Sequence, residues 1–175
     1  DPALAETLGL LYDAATAFGV EAVTIENAGT FEGVQGICPE GWHIPTAAEM
    51  TGLVGHSTNA NHINTEAPYY DAAIKGASLA ALKEAGWEWQ FASARNKTTT
   101  SATGSYLVTN YNGIYGVTSY VIGSTLRQYS TNDDGSLKNV QYYYMMPTYN
   151  ASNEKVTVAY GNFLAGASIR CVKDK

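Results

Sequence analysis

The stretch CPEGWHIPTAAEM, residues 38–50, contains the strongest local structural signals in the chain. A Pro-Glu-Gly turn and a Trp-His pair precede Pro45, and proline marks a helix boundary because it favours an extended residue before it. Thr46 and Glu49 have the spacing of a capping box, in which the Thr hydroxyl accepts from the Glu amide and the Glu carboxylate accepts from the Thr amide. The pattern predicts a turn, a short extended segment and a capped helix near residues 46–54.

The composition narrows the class of protein. The 175 residues are enough for one domain with a real hydrophobic core. Only 15% of residues are charged, so the polar surface must come from Thr, Ser, Asn and Tyr, a mixture typical of β-rich extracellular domains. The net charge of -6 and the lack of a basic cluster argue against a phosphate-neutralising surface, so no nucleic-acid partner is expected. No apolar run approaches the ~18 residues of a membrane span.

The secondary-structure signals change along the chain. Residues 8–18 begin extended and become an Ala-rich helix near 13–18, and the capped helix follows. From Trp87 onward, short runs rich in Val, Thr and Tyr alternate with turn signals such as NG and NDDG, which predicts antiparallel strands supplied mostly by residues 105–172. Two main helices early and strands late predict one α+β domain over residues 1–175, which could have been excised from a longer exported chain.

The two cysteines, Cys38 and Cys171, lie 133 positions apart and form no metal-type C-x-x-C motif. A disulfide between them would join the first third of the fold to its C-terminal part. The chain-entropy model gives about 5 kcal/mol for so long a loop, as an upper figure. Two buried free thiols are the alternative.

Five blocks of the chain resemble, in the same order, those of the Fibrobacter succinogenes major paralogous domain, a family of secreted and surface modules from bacteria. GICPEGWHIPTAAEMTGL is similar to the family's Cys-Pro-x-Gly-Trp-His-Leu-Pro-Thr run followed by Glu-Trp and Leu, and the closing ASIRCVKD is similar to its Val-Arg-Cys-Val-Lys-Asp. The five blocks span residues 9–17, 36–53, 82–87, 132–144 and 167–174.

The resemblance implies a C-type-lectin-like fold, distantly similar to the formylglycine-generating enzymes, with its N- and C-terminal strands close together. Since Cys38 and Cys171 lie in two specific blocks, it also implies that they form a disulfide and that the protein is exported. Three aromatic positions of the family are lost, at Asp13, at Met50 and in the MMPT run of residues 145–148. Ligand details are therefore not carried over from the family.

The sequence contains no recognisable catalytic or metal-binding motif. Formylglycine-generating enzymes work through a pair of cysteines, and here both cysteines are expected to be bridged. His56 and His62 lie in a polar loop at a spacing that matches no common zinc motif. His43 is expected to pack beside Trp42 with a ring nitrogen bound to backbone. With no nucleophile elbow or phosphate loop, and with acids scattered singly, the sequence predicts no enzyme, no cofactor and no metal.

Candidate ligand-binding residues come from aromatic and polar groups. The triplets and the Trp-Asn-Asp motif by which C-type lectins bind sugar through calcium are absent, and a tight turn explains NDDG more simply. The run Tyr142-Tyr143-Tyr144 must alternate across a strand, so at least one ring packs inward and one or two remain for the surface. The candidate site combines aromatic rings with amide and carboxylate groups: Trp87, Trp89, Asn132, Asp133, Asp134, Tyr149 and Asn150.

The expected function is a non-catalytic binding module for a glycan or a cell-surface protein. Such a module would act in adhesion and would be secreted or held at a bacterial surface, for example by a lipoprotein-type anchor. Long polar loops on a stable base suit recognition. One alternative is a structural or tip-like subunit of a surface or fimbrial assembly, and another is an uncharacterised hydrolase.

Overall fold

A computed structural model describes residues 9–54, 94–99, 106–112, 119–148, 155–161 and 166–175. Within these ranges the chain forms two helices and seven strands. The helices are α1 (Ala14–Phe18) and α2 (Ala47–Val54). The strands are β1 (Trp42–His43), β2 (Ala94–Thr99), β3 (Tyr106–Asn112), β4 (Val121–Thr131), β5 (Leu137–Thr148), β6 (Lys155–Gly161) and β7 (Val172–Lys173). Neither described helix is both long and apolar enough to span a lipid bilayer.

The strands form three antiparallel sheets. The largest has the order β4-β5-β6, with β5 in the centre, and the others are the pairs β1-β7 and β2-β3. Most of the strand content lies in the C-terminal half, and both helices come early in the chain. This arrangement confirms the prediction of mixed helix and antiparallel strand, including the helices expected near residues 13–18 and 46–54.

Helix α1 is short and has clear ends. The Asp13 carboxylate caps its first turn by accepting from the Thr16 amide at 2.8 Å. Gly19 ends it with a φ of 73°, in the left-handed region that glycine adopts without a steric penalty. The buried face of α1 carries Ala14, Ala17 and Phe18 into the core.

The core is built around aromatic rings from both parts of the chain. Phe18 stacks on Phe31 with ring centroids 4.6 Å apart and meets the edge of Tyr142 at 4.9 Å. The Tyr142 hydroxyl donates to the Ala28 carbonyl oxygen at 2.8 Å, so the polar end of this fully buried ring has a partner. The core therefore joins α1 and the loop after it to the central strand β5.

The tyrosine run of β5 does not reach the surface as expected. Tyr142, Tyr143 and Tyr144 are all buried, at 0%, 4% and 8% exposure. The reason is that β5 is the central strand and both of its faces are covered: Tyr142 and Tyr144 belong to the core cluster, and Tyr143 packs edge-on against Tyr160. Burial, with contributions from Tyr120 and Tyr160, raises the pKa of Tyr144 to about 12.

The N- and C-terminal segments of the described chain pair with each other. Tyr12 and Ala167 form an antiparallel bridge, with both backbone N–H···O distances at 2.8 Å. The Ile122 amide then donates to the Ser168 carbonyl oxygen at 3.0 Å, which joins the same segment to β4. This contact matches the expected proximity of the two ends.

Candidate functional site

The capping box at the start of α2 forms as predicted. The Thr46 amide donates to Glu49 Oε2 at 2.9 Å, and the Glu49 amide donates to Thr46 Oγ1 at 3.2 Å. The Thr46 hydroxyl also donates to Glu49 Oε2 at 2.9 Å. Burial by itself would raise the pKa of Glu49, but the hydrogen bonds from Thr46 and His43 outweigh burial and lower it.

The same helix start is fixed to the large sheet. The Ala47 amide donates to Thr125 Oγ1 at 2.7 Å, and the Thr125 hydroxyl donates to Glu32 Oε1 at 2.8 Å. The Ser124 amide donates to the Pro45 carbonyl oxygen at 2.9 Å. Side chains and backbone of β4 thus satisfy groups at the start of α2 that have no partner inside the helix.

A disulfide joins Cys38 to Cys171, with their Cα atoms 5.8 Å apart. It confirms the bridge implied by the resemblance and excludes the alternative of two free thiols. Shortly after each cysteine, β1 and β7 pair in antiparallel register, with Trp42 opposite Lys173 and His43 opposite Val172. The beginning of the CPEGWHIPTAAEM stretch is therefore held to the C-terminal segment by one covalent link and one short ladder.

His43 lies between two carboxylates, one from each side of this junction. Its Nδ1 is 2.6 Å from Asp174 Oδ1, and its Nε2 is 3.0 Å from both carboxylate oxygens of Glu49. The expectation that a ring nitrogen binds backbone is wrong, because the C-terminal segment brings Asp174 to the ring. Sequence reasoning missed this partner, although Asp174 closes the ASIRCVKD block at a short fixed distance from Cys171.

The groups around His43 raise its pKa. The side chain is only 15% exposed, and burial by itself would lower its pKa. Hydrogen bonds and charge interactions with Asp174 and Glu49 outweigh burial, so the pKa of His43 is raised above its ordinary value.

The predicted ligand residues Asn132, Asp133 and Asp134 lie on the exposed turn between β4 and β5. Asn132 Nδ2 donates to Ser136 Oγ at 2.9 Å, and the Ser136 amide donates to Asp134 Oδ1 at 2.9 Å. The hydrogen bonds from Ser136 lower the pKa of Asp134. Asn132 and Asp134 thus stabilise the turn itself, which agrees with the simpler interpretation of NDDG. Within the described ranges, no cluster of three or more His, Cys, Asp or Glu residues is arranged to hold a metal ion.

Tyr129 is an aromatic residue beside this turn that sequence reasoning did not single out. It lies on β4 opposite Val140, and 47% of its surface is exposed. The polar run from Gln128 to Asn132 was the available signal, since it marks the exposed end of β4. The other four predicted ligand residues lie outside the described residues: Trp87, Trp89, Tyr149 and Asn150. His56 and His62 lie outside them as well.

A comparison with protein families matches the model of the Fibrobacter succinogenes major domain to residues 2–173. The chain belongs to this family. The match to the Fibrobacter succinogenes major domain covers nearly all of the 175 residues and confirms the resemblance carried by the sequence blocks. No curated protein and no solved structure matches significantly.

Proposed function

We propose that this Fibrobacter succinogenes major domain is an exported, non-catalytic binding module that recognises a glycan or a protein from a C-type-lectin-like scaffold. The observation that carries the proposal is the exposed end of β4 and the turn that follows it in the β4-β5 hairpin, residues 128–136. There the Tyr129 ring is 47% exposed and lies three residues before a turn of amide and carboxylate side chains. Sugars bind to this combination, because the apolar face of the sugar ring packs on the aromatic side chain and the sugar hydroxyls bond to the polar side chains.

The rest of the molecule suits a rigid support for such a surface. The Cys38–Cys171 disulfide, the β1-β7 pair and the capped start of α2 connect distant parts of the chain. Binding residues are commonly carried on loops that a rigid scaffold positions. The hairpin turn is held by its own hydrogen bonds from Ser136 and Asn132, so its polar groups are ordered before a ligand arrives.

Four large hydrophobic residues of the described chain are exposed: Leu10, Ile37, Trp42 and Tyr129. Of these, Tyr129 is the one on the hairpin that also carries Asn132 and Asp133. The aromatic residues Trp87, Trp89 and Tyr149, with Asn150, remain candidates for the same binding role. We therefore place the ligand at the hairpin and keep those four residues as further candidates for contact with it.

Two observations support a non-catalytic role. Both cysteines of the chain are joined in one disulfide, which leaves no thiol for cysteine chemistry. Both ring nitrogens of His43 face carboxylates, so the ring has no nitrogen directed at a substrate. A general base needs a lone pair within reach of the proton that it removes.

The disulfide supports export, and the pairing of the two chain ends supports the proposed fold type. Disulfides persist in oxidising compartments, so the Cys38–Cys171 bridge supports a location outside the cytosol, at a bacterial surface or secreted. The pairing of Tyr12 with Ala167 supports the C-type-lectin-like scaffold, because the resemblance implies terminal strands that lie side by side.

A glycan array tests the proposal, followed by affinity measurement on any sugar that binds. If Tyr129 stacks on the sugar, Tyr129→Ala weakens binding by about tenfold or more, which is about 1.4 kcal/mol. Tyr129→Phe keeps the ring and retains most of the affinity. Leu10→Ala serves as the matched control, because it removes another exposed hydrophobic side chain that belongs to neither strand of the hairpin.

Trp89→Ala and Tyr149→Ala test the other aromatic candidates in the same assay. If the wild type binds a glycan and all the aromatic variants stay folded with full affinity, the proposed site is wrong. Loss of binding in Trp42→Ala alone would move the site to the disulfide end of the molecule. Failure to bind any glycan, with capture of a surface protein that depends on Tyr129, would favour the protein ligand.

A further inference from the structure

The two ring nitrogens of His43 impose a condition on its protonation. Nδ1 faces Asp174 at 2.6 Å and Nε2 faces Glu49 at 3.0 Å. A neutral imidazole carries one N–H donor and one lone pair, whereas an imidazolium carries two donors. An ionised carboxylate offers only acceptors, so a neutral ring would turn a lone pair toward one of the two carboxylates. Only the imidazolium satisfies both contacts.

We propose that His43 is a protonated clamp that holds the C-terminal segment to the capped helix, so that the attachment of this segment depends on pH. The clamp consists of His43, Glu49 and Asp174. It does not rely on the binding function proposed above, because it lies at the disulfide end of the molecule and uses none of the hairpin residues.

The charged groups that face the ring come from two different elements. Glu49 reaches it from the first turn of α2, and Asp174 reaches it from the residue after β7. Lys173, the charged residue of β7 itself, pairs with Trp42 and is exposed, so it lies on the other side of the short ladder. Two carboxylates thus act on one imidazole, and the arrangement favours its charged form.

The opposite pKa directions of His43 and Glu49 give the clamp a pH window. The pKa of His43 is raised above 6.5, so its contribution is fully present below about 6.5 and is lost as the pH rises through the folded-state value. The pKa of Glu49 is lowered below 4.5, so its contribution is present above about 4.5 and is lost as the pH falls through the folded-state value. The clamp is therefore strongest at mildly acidic pH, between these two limits.

Opening of the clamp is local. Cys171 stays bonded to Cys38, so deprotonation of His43 frees at most residues 172–175. The remaining noncovalent contacts of this segment include the β1-β7 pair and the bond from the Asp174 amide to the Gly41 carbonyl oxygen at 2.9 Å. Exchange of the Asp174 amide hydrogen is therefore a direct probe of the attachment.

The experiment combines NMR of the histidine rings with hydrogen exchange, using the disulfide-bonded protein. His43→Gln assigns the His43 signals among the three histidines. At pH 6 we expect both His43 ring nitrogens to be protonated, with a titration midpoint above 6.5. After correction for the intrinsic exchange rate, protection of the Asp174 amide should fall about tenfold or more as the pH passes through that midpoint.

Asp174→Asn is the informative variant, because it removes the charge and leaves the capping box of Glu49 intact. We expect it to lower the midpoint of His43 and to weaken the pH dependence of exchange. Glu21→Gln is the matched control: it removes one exposed negative charge that is not among the groups acting on His43 and should change neither quantity. A neutral His43 ring at pH 6, or an unchanged midpoint in Asp174→Asn, would overturn the proposal.

Discussion

Gly36 precedes Cys38 by two residues, and its replacement by alanine gives a sharp test of the fold. Its φ is +55°, and an added Cβ would lie 2.1 Å from the Ala17 carbonyl oxygen and 2.9 Å from Ile44 Cδ1. A hydrogen bond holds the two backbone segments together at this point, because the amide of the next residue, Ile37, donates to the same Ala17 oxygen at 3.1 Å. A backbone atom cannot move aside as the end of a flexible side chain can.

The expected loss of stability has two parts. A left-handed conformation costs a non-glycine residue about 1–2 kcal/mol. Overpacking in a tight site adds about 1–3 kcal/mol, and the reduced freedom of alanine in the unfolded chain returns about 0.4–1 kcal/mol. We therefore expect Gly36→Ala to lower the free energy of unfolding by about 1–5 kcal/mol, about 3 kcal/mol at the middle of the three ranges.

Gly41→Ala separates the two parts. Gly41 has a φ of +77° and nothing within 4 Å of its added Cβ, so alanine there meets only the backbone cost, about 1 kcal/mol. Equilibrium urea unfolding of both disulfide-bonded variants, monitored by far-UV circular dichroism, measures the difference between their free energies of unfolding. Equal destabilisation of the two variants would refute the close contact between Gly36 and Ala17.

Two further predictions concern the core and the disulfide. Tyr142→Phe removes the donor to the buried Ala28 carbonyl oxygen, so that acceptor is left without a partner. The free energy of unfolding, measured in urea, should fall by about 1–3 kcal/mol. An unchanged midpoint would contradict the buried hydrogen bond. Joint replacement of Cys38 and Cys171 by alanine should cost about 2–4 kcal/mol, with about 5 kcal/mol as the upper figure for the loop they close. Thermal unfolding with and without reductant measures this effect. The melting temperature of the wild type should fall on reduction, and that of the variant should not change. An unchanged melting temperature of the reduced wild type would argue against the bridge.

Local sequence determined the parts of this protein whose contacts lie within a few residues. Thr46 and Glu49 form the predicted capping box because their three-residue spacing brings each side chain to the other's amide. The NDDG turn between β4 and β5 also follows from its own residues, since Asn132 and Asp134 bond to Ser136. The turn is therefore the part of the candidate ligand site that could be predicted from the sequence.

Tertiary structure decided what depends on residues far apart in the chain. The burial of Tyr142, Tyr143 and Tyr144 could not be predicted from alternation, because alternation gives two faces but not what covers each of them. The exposed Tyr129 is the opposite case, since its partner in the ladder, Val140, is buried in the core while residues 128–131 of β4 are exposed. Asp174 reaches His43 across 131 positions of sequence. No local pattern reports such a contact, because the folded path of the chain, not the spacing of the residues, brings the two groups together.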